Sequence, residues 1–185
     1  MTRVLLCSAS PRRRELLAEI LPKFEVCKTD KEERSRYLRP HLRVMDLALA
    51  KQEGISSAED TLVISSDTLV YRRGKYYGKP ETEEKACEML RELSGVRHSV
   101  YTGVAIKWGK KSRVFYDKAD VIFKKLTEED ILRYVKGYSP LDKAGAYGVQ
   151  DGVVVERYEG SFSCIMGLPV EKLRQALSEM GVENV

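Results

Sequence analysis

The chain has 185 residues, enough for one hydrophobic core or one domain with two lobes and too few for two independent domains. Hydrophobic residues make up 43% and charged residues 32%, and 32 basic against 28 acidic residues leave a net charge of +4, too mild by itself to argue for nucleic-acid binding. No apolar run reaches the length of a membrane span and the N-terminus lacks the apolar stretch of a signal peptide, so a cytoplasmic protein is expected.

Residues 4–17, VLLCSASPRRRELL, read as a buried strand that passes through a small-residue turn into a helix. Val4, Leu5, Leu6 and Cys7 suit an interior strand, Ser10 suits the N-cap and Pro11 the first helical position. The helix then opens with Arg12, Arg13 and Arg14. Cations there oppose the helix dipole, whereas an anion is favoured by the free N–H groups and by forked guanidinium donors, so the junction suits phosphate. The competing reading is a solvated basic face above the buried Leu16, Leu17, Ile20 and Leu21. Neither GxxxxGK[ST] nor GxGxxG occurs.

A second strand is expected over residues 24–28, followed by a charged connection over residues 29–39 in which Glu32 and Glu33 supply the carboxylate oxygens that a hard divalent cation takes. Pro40 opens a helix running to about Glu53, with Leu42, Val44, Leu47 and Ala48 inward, Lys51 near its C-terminus and Gly54 ending it. Over residues 61–70, TLVISSDTLV, Asp67 and Thr68 interrupt an apolar run. A carboxylate there is costly to bury unpaired, so Asp67 either caps a local turn or takes part in chemistry.

Residues 71–78 form a hairpin around Arg73-Gly74, and Lys79-Pro80 precedes an amphipathic helix over residues 82–94. Two long strands follow over residues 98–126 around a turn at residues 109–112. Thr127 caps the next helix, which ends near Gly137. Residues 139–151, SPLDKAGAYGVQD, make a Gly/Ala-rich loop whose small residues permit close backbone approach to a ligand and whose Gln150 can read a base edge. A strand at residues 153–156 and a last helix after Pro169, stopped by Gly181, complete the chain. Cys7, Cys27, Cys87 and Cys164 are widely spaced without a CxxC, which favours buried free thiols over metal ligands or disulfides.

Several segments together resemble the Maf-like family of nucleoside triphosphate pyrophosphatases over essentially the full length: SASPRRRELL, Glu32-Glu33, LALAK, SDTLV, Lys79-Pro80, LSGVRHSVYTGVAI, PLDKAGAYGVQ and EGSFSCIMGLP. Ala9 stands where the family frequently has glycine, and the loop over residues 30–39 is more basic than its pattern. The resemblance implies a single α/β domain over residues 1–185, with an elongated mixed sheet flanked by helices, two lobes and a cleft between them, related to inosine triphosphate pyrophosphatases. It implies hydrolysis of dTTP and UTP between the α and β phosphates, with Mg²⁺ or Mn²⁺ as cofactor.

Carried onto this sequence, the catalytic acid matches Asp67, the substrate contacts match Ser8, Arg13, Lys51 and Lys79, and the metal carboxylates match Glu33 and Asp67, with Glu32 as the substitute for Glu33. Three positions that separate the dTTP/UTP branch from the 7-methyl-GTP branch fall at Arg12, Thr68 and Gln150, and their identities resemble the former. The partner expected is the nucleotide, without membrane or nucleic acid, and a homodimer is compatible with the family. Two alternatives remain: the 7-methyl-GTP branch, and a non-catalytic nucleotide- or nucleic-acid-binding regulator of cell division, a role in which Asp67 and Glu33 would repel phosphate.

Overall fold

The computed structural model describes residues 3–27, 34–53, 55 and 60–182. In chain order the elements are β1 (Arg3–Cys7), α1 (Pro11–Ala18), β2 (Glu25–Cys27), α2 (Pro40–Ala50), β3 (Thr61–Arg72), β4 (Lys75–Tyr77), α3 (Glu83–Leu93), β5 (Arg97–Trp108), β6 (Lys111–Phe123), α4 (Glu128–Tyr138), β7 (Val155–Glu159), α5 (Phe162–Met166) and α6 (Val170–Glu179). The strands form one mixed sheet in the order β2-β1-β3-β5-β6-β7, with β4 paired to β3. None of the described helices is long and apolar enough to cross a membrane.

The apolar β1 lies between two parallel neighbours, β2 and β3, and all but its first residue are buried. A parallel pair needs a crossover, and α1 provides it between β1 and β2. Contacts divide the chain into two compact units, the first comprising Met1–Asp67, Thr102–Asp117 and Gly167–Val185, the second Thr68–Tyr101 and Lys118–Met166. The strands β3, β5 and β6 each contribute residues to both.

In the first unit, α1 buries Leu16 and Leu17, α2 buries Val44, Leu47 and Ala48, and α6 buries Val170, Leu173, Ala176 and Leu177. The second unit has its own core, in which Leu90 and Leu93 of α3 and Ile131 and Tyr134 of α4 pack with Val100, Val121 and Phe123. Both of its longer helices begin as their sequences require. Thr82 accepts the Lys85 N–H, and Thr127 and Asp130 form a reciprocal capping box above an acidic first turn.

Three expectations are corrected. Asp67 caps no turn, because β3 runs unbroken through it as one strand of 12 residues. The loop over residues 139–151 is not plain coil but three successive single 3-10 turns, Pro140–Asp142, Ala144–Ala146 and Val149–Asp151. The late strand lies at Val155–Glu159 rather than residues 153–156, and four of its five residues are exposed. A strand at the sheet edge buries little on either face, so VERYE carries no apolar signal, whereas the apolar Val154 before it is buried core.

Candidate active site

The β1–α1 junction is built by Ser8 and Arg13. Ser10 occupies the N-cap in extended conformation, but its side chain makes no capping bond. Ser8, nearly buried, does the local work instead: its Oγ accepts the Ser10 N–H at 3.2 Å and an Arg13 Nη1–H at 3.2 Å. Arg13 also donates from Nε to the Gly167 carbonyl at 2.9 Å, and Arg14 donates to the Ala9 carbonyl at 3.0 Å. The helix has no acid in its first turn, so its positive N-terminal end and these guanidiniums together favour an anion. Arg12, in the same turn, is half-buried.

Asp67 is 4% exposed and Lys51 is 8% exposed. Burying either charge alone would be prohibitive, and the two are buried together: Lys51 Nζ lies 2.5 Å from Asp67 Oδ1 and also donates to the Ser66 carbonyl at 3.2 Å. Lys51 is aimed by its place at the C-cap of α2, an end that is tied to the sheet by neutral bonds. Ser65 Oγ donates to the Ala48 carbonyl at 2.6 Å, and Gln52 Nε2 donates to the carbonyls of Val63 at 3.1 Å and Ala105 at 2.7 Å. Side chains alternate across a strand, so Ser65 and Asp67 share the face toward α2 and Ser66 takes the other.

Ser66 joins the two clusters. Its Oγ donates to the Gly167 carbonyl at 2.8 Å, the same oxygen that accepts from Arg13. Gly167 has φ of 109°, a conformation open to glycine, and it lies between α5 and α6. A continuous path therefore runs from Ser8 through Arg13, Gly167, Ser66 and Lys51 to Asp67, all within the first unit. Four of the sequence-selected residues are thus brought together, while Ser66 and the Gly167 carbonyl escaped the sequence reading. The double serine before Asp67 was the available signal for one of them; a backbone carbonyl gives none.

The remaining candidates are distributed differently. Thr68, half-buried, Lys79, exposed between β4 and α3, and Gln150, exposed in the third 3-10 turn, belong to the second unit. That turn is held by Tyr134, which donates to Asp151 Oδ2 at 2.5 Å and accepts the Gly148 N–H at 2.9 Å. Burial and the Asp151 carboxylate push the Tyr134 hydroxyl pKa up, so it remains a donor. Glu32, Glu33 and Gly54 lie outside the described residues.

Among the described residues no group of three His, Cys, Asp or Glu side chains is placed to hold a metal ion. Asp67 is the carboxylate at the centre of the cluster. One carboxylate is compatible with Mg²⁺, which is typically held by one or two carboxylates, substrate phosphates and water rather than by an all-protein cage.

The comparisons agree with this architecture. The chain is similar, at a TM-score of 0.53 and 15% identity, to a HAM1 protein from Coxiella burnetii, covering 97% of this chain and 100% of that one. The Ham1 protein of Staphylococcus aureus gives the same TM-score at 17% identity, over 97% of this chain and 99% of its own. At such identities the likeness establishes the fold alone. In sequence, the chain is 40% identical to a dTTP/UTP pyrophosphatase of Agathobacter rectalis, over 99% of this chain and 100% of the relative. It is also 40% identical to a dTTP/UTP pyrophosphatase of Bacillus cereus, over 99% and 98%. The family model described as Maf-like protein matches residues 3–180, and the chain belongs to the Maf-like family.

Proposed function

We propose that the protein is a nucleoside triphosphate pyrophosphatase that hydrolyses dTTP and UTP to the monophosphate and pyrophosphate. The observation that carries this reading is the buried Lys51–Asp67 pair joined by hydrogen bonds to the arginine-lined turn of β1–α1, in a chain 40% identical to relatives bearing that name. Cleavage between the α and β phosphates demands a bound triphosphate, an oriented water and stabilisation of the departing pyrophosphate charge.

Ser8, Arg13 and the α1 N-terminus bind phosphate oxygens, and the guanidinium comes already oriented by the Gly167 carbonyl. Lys51 and Lys79 supply further positive charge toward the triphosphate. Asp67 orients or deprotonates the attacking water, with Lys51 fixing its Oδ1. Asp67 and Glu33 hold a divalent cation, which when bound supplies charge neutralisation for the phosphates and a more acidic water. Arg12, Thr68 and Gln150 set the preference for the pyrimidine base.

The test is pyrophosphate release from dTTP, UTP, CTP, GTP and 7-methyl-GTP with Mg²⁺ or Mn²⁺, for the wild type and Asp67→Asn. Preference for dTTP and UTP is expected, with kcat lowered by about 10²–10⁴-fold in the variant while its melting transition survives. Faster turnover of 7-methyl-GTP would reassign the base choice. Absence of metal-dependent release from any nucleotide would remove the catalytic reading.

A further inference from the structure

We propose that Cys7 and Cys27 form a redox-active dithiol, closed to a disulfide by a hydroperoxide and reopened by a thiol reductant. Both are free thiols in the structure. They are register partners in the parallel pair β1–β2, which places their side chains on the same side of the sheet. Neighbouring strands lie about 4.8 Å apart, within the Cα separation of about 4.4–6.8 Å that a disulfide spans. The two sulfurs are already 2.8 Å apart, so closure requires little backbone movement.

Their surroundings divide the labour. Cys27 is half-buried on the edge strand β2, open to a small oxidant, whereas Cys7 is fully buried between two strands. Burial pushes the Cys7 thiol pKa up and shields it from solvent, so it is not the thiol that meets the oxidant first. The Cys27 thiolate attacks the terminal oxygen of the hydroperoxide, and the S–O bond forms as the O–O bond breaks; the expelled alkoxide, or hydroxide from hydrogen peroxide, takes up the proton that the thiol gave to solvent and leaves as alcohol or water, with a sulfenic acid on Cys27. Cys7 sulfur then attacks Cys27 sulfur. The S–S bond forms as the S–OH bond breaks, and the expelled hydroxide leaves as water with the Cys7 proton. Two thiols are oxidised by two electrons and one hydroperoxide is reduced.

The bond would fasten β2 to the end of β1 that leads directly into Ser8. Cys87 and Cys164, in the second unit, serve as internal controls.

The experiment treats the native protein with limiting hydrogen peroxide, counts thiols after denaturation, and identifies peptides by mass without reduction. The four free thiols are expected to fall to two, with a Cys7–Cys27 peptide pair lighter by two hydrogens that dithiothreitol separates. Cys27→Ser is expected to give no such pair while Cys87 and Cys164 remain alkylatable. Four persistent thiols, a Cys27 sulfinic acid beside an alkylatable Cys7, or a disulfide between two molecules would each overturn the proposal. None of these readings depends on nucleotide hydrolysis, so the proposal and the assigned activity fail separately.

Discussion

Asp67 and His98 are both ionisable and almost wholly removed from water, and they manage it in opposite ways. Asp67 is paired with a buried cation. His98 stays neutral: its Nε2 lies 2.9 Å from the Tyr147 hydroxyl, its ring meets Phe123 edge-on at 4.9 Å, and burial pushes its pKa down to about 4 from 6.5. In the unfolded chain the imidazole takes up a proton below pH 6.5, but in the fold it does so only near pH 4. The unfolded state therefore binds more protons in that window, and stability falls as pH drops through it, by about 2 kcal/mol between about pH 7.5 and about pH 5. Urea midpoints at the two pH values test this, since His98→Gln is expected to lose that part of the slope; equal slopes in the two proteins would refute it.

The residues legible from sequence were those chemically out of place, such as arginines at a helix start and a carboxylate in an apolar run. His98 raised no signal because a polar residue on an alternating strand looks ordinary until its neighbours are known. The Gly167 carbonyl, 154 residues from Arg13, is visible only after folding.

At the scale of elements, α2 matters because Lys51 is its C-cap, and its approach to the sheet depends on an absent side chain. A Cβ on Gly103 of β5 would lie 2.2 Å from the Val44 carbonyl oxygen and 2.7 Å from the Met45 nitrogen, both backbone atoms that cannot swing away. Gly103→Ala is expected to push α2 outward, destabilise the protein by about 1–3 kcal/mol and lower turnover by displacing Lys51 from Asp67. Urea denaturation and kcat on the same preparation check it; unchanged values of both would show that the helix tolerates the shift. The existence of α2 was legible from Pro40 and the spacing of Val44, Leu47 and Ala48, and so were the Arg73-Gly74 hairpin and the Thr127 cap, whose signals are local. The contact at Gly103 was not, since a glycine in a strand announces close approach without naming the partner. The short helix α5 was also missed, because five residues of FSCIM have no period to detect.

At the scale of the molecule, the mixed α/β class and a division into two lobes follow from the family resemblance, but which segments make up each unit does not, because each is assembled from stretches far apart in sequence. A chain ending at Met166 contains every residue of the second unit and lacks Gly167–Val185 of the first. Such a truncation is expected to release no pyrophosphate, to keep slow hydrogen exchange in α3 and α4, and to exchange rapidly in α1 and α2. Mass-resolved exchange on the full and shortened chains measures this, and retained protection of α1 would show that the first unit closes without its final segment.

The position of Gly167 also sets an order of events during synthesis. The ribosome delivers Arg13 early and the carbonyl that aims it only after the whole second unit has emerged. A nascent chain thus carries its basic turn without its oriented guanidinium until the second unit has been made, and the aim of Arg13 waits on a domain to which it does not belong.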